Sequence, residues 1–167
     1  MQKASCLQGK RRNVVLFLTT ILIVAADQLS KIWIRSTLAV GESLPEAGFF
    51  QLTRIHNTGA AFGLFQGHSF ALTIVALVGI AVLLFYALFV YRRFPFLDNM
   101  PNRVALGLIL GGTVGNLIDR LNPNLGGVTD FISIGIWPAF NIADSAVTVG
   151  AILFAYSLLR LVQAEKH

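Results

Sequence analysis

The sequence predicts an all-α membrane protein of four transmembrane helices with a small extracytoplasmic β element, and three observations carry that prediction. The 167-residue chain is 55% hydrophobic and only 13% charged, with a mean hydropathy of +0.70. Soluble domains carry about 25% charged residues. Four apolar segments approach or exceed the roughly 20 residues that a helix needs to cross the hydrocarbon core. Outside them, Phe50-Gln51-Leu52-Thr53-Arg54-Ile55 begins with apolar and polar residues alternating, as in a half-exposed strand. A chain of this length is expected to form one domain, residues 1–167.

The first span is expected over residues 14–34 and carries Asp27 and Lys31. Lys10–Arg12 followed by an apolar run and Val24-Ala25-Ala26 also has the outline of a cleavable secretory signal. The apolar character resumes at Ile32-Trp33-Ile34, however, so a retained span is expected. An external stretch, residues 36–69, holds the strand near Phe50 and then the turn-prone Asn57-Thr58-Gly59-Ala60-Ala61-Phe62-Gly63. The second span, residues 70–91, has no charge, and a short loop with Pro95 and Pro101 follows it. The third span, residues 104–121, ends in Asn116, Asp119 and Arg120. Residues 122–139 form a second external loop, and the fourth span, residues 140–162, carries Asn141, Asp144 and Arg160.

Four spans leave both termini on one side, and positive charge marks that side as cytoplasmic. Lys3, Lys10, Arg11, Arg12, Arg92, Arg93, Arg103, Arg160 and Lys166 fall there, whereas Lys31, Arg35, Arg54 and Arg120 lie at or beyond the opposite interface. The net charge of +5 is modest and the basic residues are not interleaved with aromatics, so nucleic acid is not an expected partner. Cys6 is the only cysteine and cannot form an internal disulfide. His56, His68 and His167 lack metal-ligand spacing. His56 and His68 are expected to be ordinary loop residues.

Ionisable residues inside a membrane are costly and mark a pathway, a pair or a reaction. Half of the eight acidic residues, Asp27, Asp119, Asp130 and Asp144, gather near the outer ends of the spans. On the third span Gly107, Gly111, Gly115 and Asp119 share one face, with Gly112, Asn116 and Arg120 in the adjoining row. Such glycine rows let another helix approach closely, and that packing accounts for the glycines. It leaves the polar residues on the same faces unexplained. On the fourth span Asn141, Asp144, Ser145 and Thr148 lie on one face, and Asp130 stands in the loop returning to it. Two aspartates in contact cannot both ionise easily. One keeps a proton while the other acts as a base, which suits water attack on a peptide carbonyl. From these features alone, structural and ion-coupling roles stay open beside a catalytic pair. Asp27 and Lys31, at i and i+4 with the acid first, are expected to form an intrahelical ion pair.

Five ordered blocks resemble the bacterial lipoprotein signal peptidases, the signal peptidase II family. They are Asp27-Gln28-Leu29-Ser30-Lys31, Asn57-Thr58-Gly59-Ala60-Ala61-Phe62, Gly111-Gly112-Thr113-Val114-Gly115-Asn116-Leu117-Ile118-Asp119-Arg120, Val128-Thr129-Asp130-Phe131, and Phe140-Asn141-Ile142-Ala143-Asp144-Ser145. The resemblance implies an aspartic endopeptidase of the bacterial inner membrane that removes the signal peptide from diacylglyceryl-modified prolipoproteins, cutting before the lipidated cysteine. It implies a four-helix bundle with a small external β cradle, and an active site near the outer leaflet among membrane lipids. The catalytic pair maps to Asp130 and Asp144. Asn116, Arg120 and Asn141 match positions that support the pair or hold substrate, and Asp27, Lys31, Asn57 and Gly59 match the positions around the site. No metal or organic cofactor is expected. Residues 50–66 are expected to lie across the mouth of the site. Two rival classes are a proton- or ion-coupled transporter and a membrane assembly subunit. The first would need polar residues along a path through the bilayer, and the second leaves Asp130 and Asp144 without a role.

Overall fold

The computed structural model describes residues 2–59, 67–93 and 99–164, and among these it has four long helices, four short strands and a single 3-10 turn, Pro123–Leu125. Helix α1 (Gln2–Thr37) leads to β1 (Ser43–Leu44) and β2 (Phe50–Asn57). Helix α2 (Ser69–Phe85) runs on through a π-helical turn, Tyr86–Val90, into Tyr91–Arg93. Helix α3 (Met100–Leu121) is followed by β3 (Val128–Ile134), β4 (Trp137–Phe140) and α4 (Ile142–Ala164). Each helix contains a segment long and apolar enough to cross a membrane: Arg11–Thr37, Ser69–Val90, Met100–Leu121 and Ile142–Arg160. The strands form one antiparallel sheet in the order β1-β2-β3-β4. The chain is thus a multi-pass, mostly helical membrane protein with a small four-stranded antiparallel sheet.

The elements depart from the sequence expectation in ways their chemistry explains. Helix α3 starts at Met100 rather than at 104, because the Asn99 side chain accepts from the Asn102 N–H at 2.9 Å and Pro101 fills the first turn, where no N–H is needed. Arg103, expected in a loop, therefore sits in the first turn of α3. It is buried, donates to the Ala87 carbonyl at 2.8 Å in the π-helical turn and lies 4.1 Å above the Tyr91 ring. The external loop expected over 122–139 is mostly a hairpin. Strand β3 is buried along most of its length beside α1 and α3, so no alternation of apolar and polar residues announces it. The hairpin turns at Gly135, whose φ of +53° is open to glycine at little cost. Asp130 is accordingly a strand residue, and Phe140, expected in the fourth span, closes β4. His56, expected in a loop, lies in β2 opposite Thr129. The turn residues 60–66 and the loop residues 94–98, Pro95 among them, lie outside the described residues.

Helix α3 is the central post, and its glycines let α1 and α4 press onto it. A Cβ at Gly107 would meet the Leu16 carbonyl at 2.8 Å, and one at Gly111 would meet Ile23 Cβ at 2.8 Å and the Thr20 carbonyl at 2.9 Å. A Cβ at Gly112 would collide with the Ala143 carbonyl of α4, while Gly150 of α4 leaves the same room for the Ala105 carbonyl of α3. Helix α2 is different. None of Ser69–Phe85 is buried, and it is anchored through Ala87 and Tyr91 against Leu16, Leu106 and Leu110. Its exposed Ile74, Val75, Val78 and Val82 suit a lipid-facing span. A second apolar cluster, Ile34, Leu38 and Phe131 with Leu52, Ile132 and Ile142, ties the sheet to the end of α1 and the start of α4.

These contacts separate two glycines of the same type. Gly111→Ala should destabilise the protein by about 1–3 kcal/mol through overpacking, lowering the melting midpoint in detergent by several degrees. Gly79→Ala meets nothing within 4 Å and should leave the midpoint unchanged or higher. Equal midpoints for the two variants would contradict the close α1–α3 contact.

Candidate active site

The first turn of α4 builds one half of the site. Asn141 precedes the helix, and its side-chain oxygen accepts from the Asp144 N–H at 2.9 Å, while Asp144 Oδ2 accepts from the Asn141 N–H at 3.2 Å. This reciprocal pairing satisfies two N–H groups that a helix start leaves without partners. A third, the Ala143 N–H, donates to Asp27 Oδ1 of α1 at 3.0 Å. The capping geometry thereby fixes the Asp144 carboxylate at the foot of α4, and Asn116 of α3 donates its Nδ2 to Asp144 Oδ1 at 2.7 Å.

Strand β3 supplies the other half. Asp130 is 2% exposed, pairs in register with Ile55 and accepts two side-chain bonds. Asn57 Nδ2 of β2 donates to its Oδ2 at 2.9 Å, and Asn141 Nδ2 donates to its Oδ1 at 2.7 Å. Asn141 therefore touches both aspartates, one through its amide and the other through its backbone. Burial, followed by the nearby Asp144 carboxylate, pushes the Asp130 carboxyl up to about 7, against the opposing bonds from Asn57 and Asn141 and the charge of Lys31. Asp130 thus holds its proton through the acid range up to near-neutral pH, and a carboxylate pair that shares one proton is in the state needed for combined acid and base work.

Around the pair lies a charged cluster. Lys31 is fully buried and reaches Asp27 Oδ2 at 2.8 Å, Asn116 Oδ1 at 2.9 Å and Asp119 Oδ2 at 3.4 Å. The expected i, i+4 pair of Asp27 and Lys31 is present, within a larger network. Asn116 Oδ1 also accepts from Asn141 Nδ2 at 3.1 Å. Arg120 donates to the Gly59 carbonyl at 3.1 Å, and the Gly59 N–H donates to Asn57 Oδ1 at 2.8 Å, so that α3 holds the turn after β2.

A cleft of about 500 Å³ opens beside the pair. Asn57, Asp130 and Asp144 give it a polar side, while Ile134, Trp137 and Phe140 of the hairpin and Val149 of α4 give it an apolar wall. Trp137 and Ile134 face one another across β3 and β4. A volume of this size is that of a binding pocket for a small ligand or a few residues of extended peptide.

The structure brings together every candidate residue: Asp27, Lys31, Asn57, Gly59, Asn116, Arg120, Asp130, Asn141 and Asp144. The stretch 50–66 expected to cover the cleft is described only as far as Gly59, and among its described residues Asn57 lines the cleft. Sequence reasoning left Gln28, Arg35 and Thr129 out of the site. Gln28 Nε2 donates to Asp27 Oδ2, the Gly115 carbonyl and Asp119 Oδ1 at 3.0–3.2 Å, and it stands inside the block around Asp27 that could have flagged it. Thr129 stands inside the block around Asp130, but its contacts, the backbone N–H to Asp119 Oδ2 and Oγ1 to Arg35, reach elements distant in sequence that motif reading does not connect. Trp137 and Phe140 were likewise missed as walls of the cleft, since only the hairpin turns them toward it.

Known proteins resemble this chain over most of its length. A family described as Signal peptidase (SPase) II matches residues 19–160. A lipoprotein signal peptidase of Dehalococcoides mccartyi is 53% identical over 141 residues, covering 84% of this chain and 86% of that protein. The lipoprotein signal peptidase of Moorella thermoacetica is 43% identical over 143 residues, covering 85% and 91%. Two solved structures of a bacterial membrane enzyme obtained by the in meso method also match. One has a TM-score of 0.76 at 32% identity, covering 87% of each chain, and the other 0.72 at 33%, covering 86% and 92%.

The raised Asp130 carboxyl links the site to stability. A carboxyl whose folded pKa exceeds its unfolded value stabilises the fold fully below the unfolded pKa, and that contribution is lost as pH rises through the folded one. For Asp130 the window runs from 3.8 to about 7. Asp130→Asn removes this titration. Its melting midpoint should match the parent near pH 4 and exceed it by several degrees at pH 8. A parent-minus-variant difference that is flat across the window would show that Asp130 is not strained by ionisation.

Proposed function

This chain belongs to the signal peptidase II family, and from that premise we propose that Asp130 and Asp144 are its catalytic pair. It is a lipoprotein signal peptidase, an aspartic peptidase with membrane-spanning helices. The observation that carries the residue assignment is the Asn141 bridge. One asparagine bonds Asp130 Oδ1 at 2.7 Å and Asp144 Oδ2 at 3.2 Å, and both carboxylates line the same cleft.

The reaction follows from a pair that holds one proton. A water in the cleft attacks the scissile carbonyl carbon and gives a proton to the ionised Asp144, while Asp130 gives its proton to the carbonyl oxygen. The resulting diol collapses as Asp144 returns a proton to the leaving nitrogen and Asp130 recovers its own. Carbon–nitrogen bond cleavage is complete, and the pair is back in its starting state. Asn57, Asn116 and Asn141 keep the two carboxylates turned toward the substrate, so that geometry is set before binding.

The substrate is a prolipoprotein whose cysteine carries diacylglycerol, cut on the amino side of that cysteine. The apolar wall of Ile134, Trp137, Phe140 and Val149 supports this reading, since it borders the polar side of the cleft directly. Both termini lie in the cytoplasm of a bacterium and the pair lies near the outer leaflet of its inner membrane. Support for that orientation comes from the basic residues at the amino terminus and around Arg92, Arg93 and Arg103. Residues 1–167 act as one membrane-embedded peptidase domain.

Purified protein in detergent should cleave a diacylglyceryl-modified prolipoprotein before the modified cysteine. Asp130→Asn and Asp144→Asn should each lower the rate by about 10²–10⁴-fold or more while melting cooperatively. A folded variant that cleaves at the parent rate would remove that residue from the pair.

A further inference from the structure

We infer that Asp119 is a positioning residue for the pair: it fixes the strand that carries Asp130 and, with Lys31 and Arg35, sets how many negative charges the pair holds. The inference rests on the reading of Asp130 and Asp144 as the catalytic pair.

The first part comes from two matching contacts. Asp119, on α3, is fully buried, and its Oδ2 accepts the backbone N–H of Thr129 at 2.9 Å. Asp27, on α1, accepts the backbone N–H of Ala143 at 3.0 Å. Thr129 directly precedes Asp130, and Ala143 directly precedes Asp144. Each carboxylate outside the pair thus holds the residue before one carboxylate inside it. The two holders are joined to each other, since Lys31 reaches Asp27 at 2.8 Å and Asp119 at 3.4 Å, and Gln28 Nε2 donates to both at 3.1 and 3.2 Å. Arg35 adds a second tie to the strand, with NH1 3.5 Å from Asp119 Oδ1 and 3.1 Å from Thr129 Oγ1. The spacing of the two carboxylates is set by a cluster, Asp27, Gln28, Lys31, Arg35 and Asp119, that lies behind the cleft lining.

The second part comes from charge. Asp130 interacts with Asp144 of α4, Lys31 of α1 and Arg120 of α3, and beyond these lie Asp27 and Arg35 of α1, Asp119 of α3 and Arg54 and His56 of β2. Burial and the neighbouring Arg54 and Arg35 keep the His56 imidazole neutral to lower pH than usual. Arg54 is occupied at the end of α1, donating to the Arg35 and Leu38 carbonyls at 3.1 and 3.0 Å. Within the buried cluster, Lys31 and Arg35 are balanced by Asp27 and Asp119. Arg120 is left facing the pair and matches a single negative charge there. With Asp119 neutralised, one cation is in excess and the pair loses its last proton more easily. With Arg35 neutralised, an anion is in excess and the proton is held more firmly.

The test is the pH dependence of kcat for the purified full-length enzyme in detergent on a diacylglyceryl-modified prolipoprotein. The alkaline limb, where the last shared proton leaves, should move to lower pH by about half a unit or more in Asp119→Asn and to higher pH by a similar amount in Arg35→Gln. Asp119→Glu should restore the parent limb, with any residual loss in kcat rather than in KM. Loosened packing alone would not move the limb in opposite directions. Limbs that stay put, or that move the same way, overturn the inference. If Asp119→Asn does not fold, the Arg35→Gln limb decides alone, upward for and unmoved against. Failure of the underlying reading is distinct, because it shows as cleavage by folded Asp130→Asn or Asp144→Asn.

Discussion

Burying one ammonium group organises this structure. Lys31 has three N–H donors and no access to water, so an apolar bundle tolerates it only if every donor finds an acceptor. Its partners are the Asp27 and Asp119 carboxylates, as ion pairs, and Asn116 Oδ1, as a hydrogen-bond acceptor, one on α1 and two on α3. That requirement fixes the rotation of α1 against α3. It also decides which way two amides point. Asn116 accepts from Lys31 through its oxygen, so its nitrogen must face Asp144. Asn141 gives its oxygen to the Asp144 N–H, so its nitrogen faces Asp130 and Asn116. A chain of donors thus runs from the lysine to both carboxylates, and no member can turn without leaving a buried group unpaired.

The glycines make that chain possible. A polar cluster at helix ends needs the helix axes close together, because Lys31 and Asn116 must meet at 2.9 Å. Gly107 and Gly111 bring α1 against α3 below the cluster, and Gly115 does so beside it, where a Cβ would lie 2.6 Å from Asp27 Oδ2. The last contact is chemical as well as steric. Any side chain there would displace the carboxylate that pairs with Lys31 and holds the start of α4. Gly112, against the Ala143 carbonyl, does the same for α4 and brings Asp144 within reach of Asn116.

Helices and strands were unequally legible in the sequence. Apolar length announces a membrane span, and the rows of Gly107, Gly111 and Gly115 were visible as one face because helical periodicity is strict. The pair Asp27 and Lys31 was visible for the same reason. Strand β3 was not, since a strand buried along most of its length shows no alternation, and it passed for loop along with the hairpin that walls the cleft. Arg103 was misplaced because the cap at Asn99 and the proline at 101 extend α3 beyond its apolar stretch. Motif order singled out Asp130, Asp144 and the asparagines that the structure brings against them. It could not show the roles of Arg35 and Thr129, whose contacts span the sequence from α1 to β3. Long-range hydrogen bonds leave no local pattern.

The two proposed catalytic carboxylates sit on different kinds of element, and this has a consequence for how the site responds to a substrate. Asp144 belongs to a helix whose start is pinned by Asp27 and capped by Asn141, so it moves only with α4. Asp130 belongs to a strand paired with β2 and held through Thr129 by Asp119, so it moves only with the sheet. The apolar wall of the cleft comes mainly from β4 and the end of β3, which share the sheet with Asp130. A substrate that presses on Trp137 or Ile134 therefore acts on the same sheet that carries Asp130, while Asp144 stays with the bundle. The two bodies are joined by the Lys31 cluster, by Asn141 and by the apolar cluster of Ile34, Leu38 and Phe131. A load on the wall would reach the pair through the sheet, which both the buried charges around Lys31 and the apolar cluster around Ile34 and Phe131 tie to the bundle.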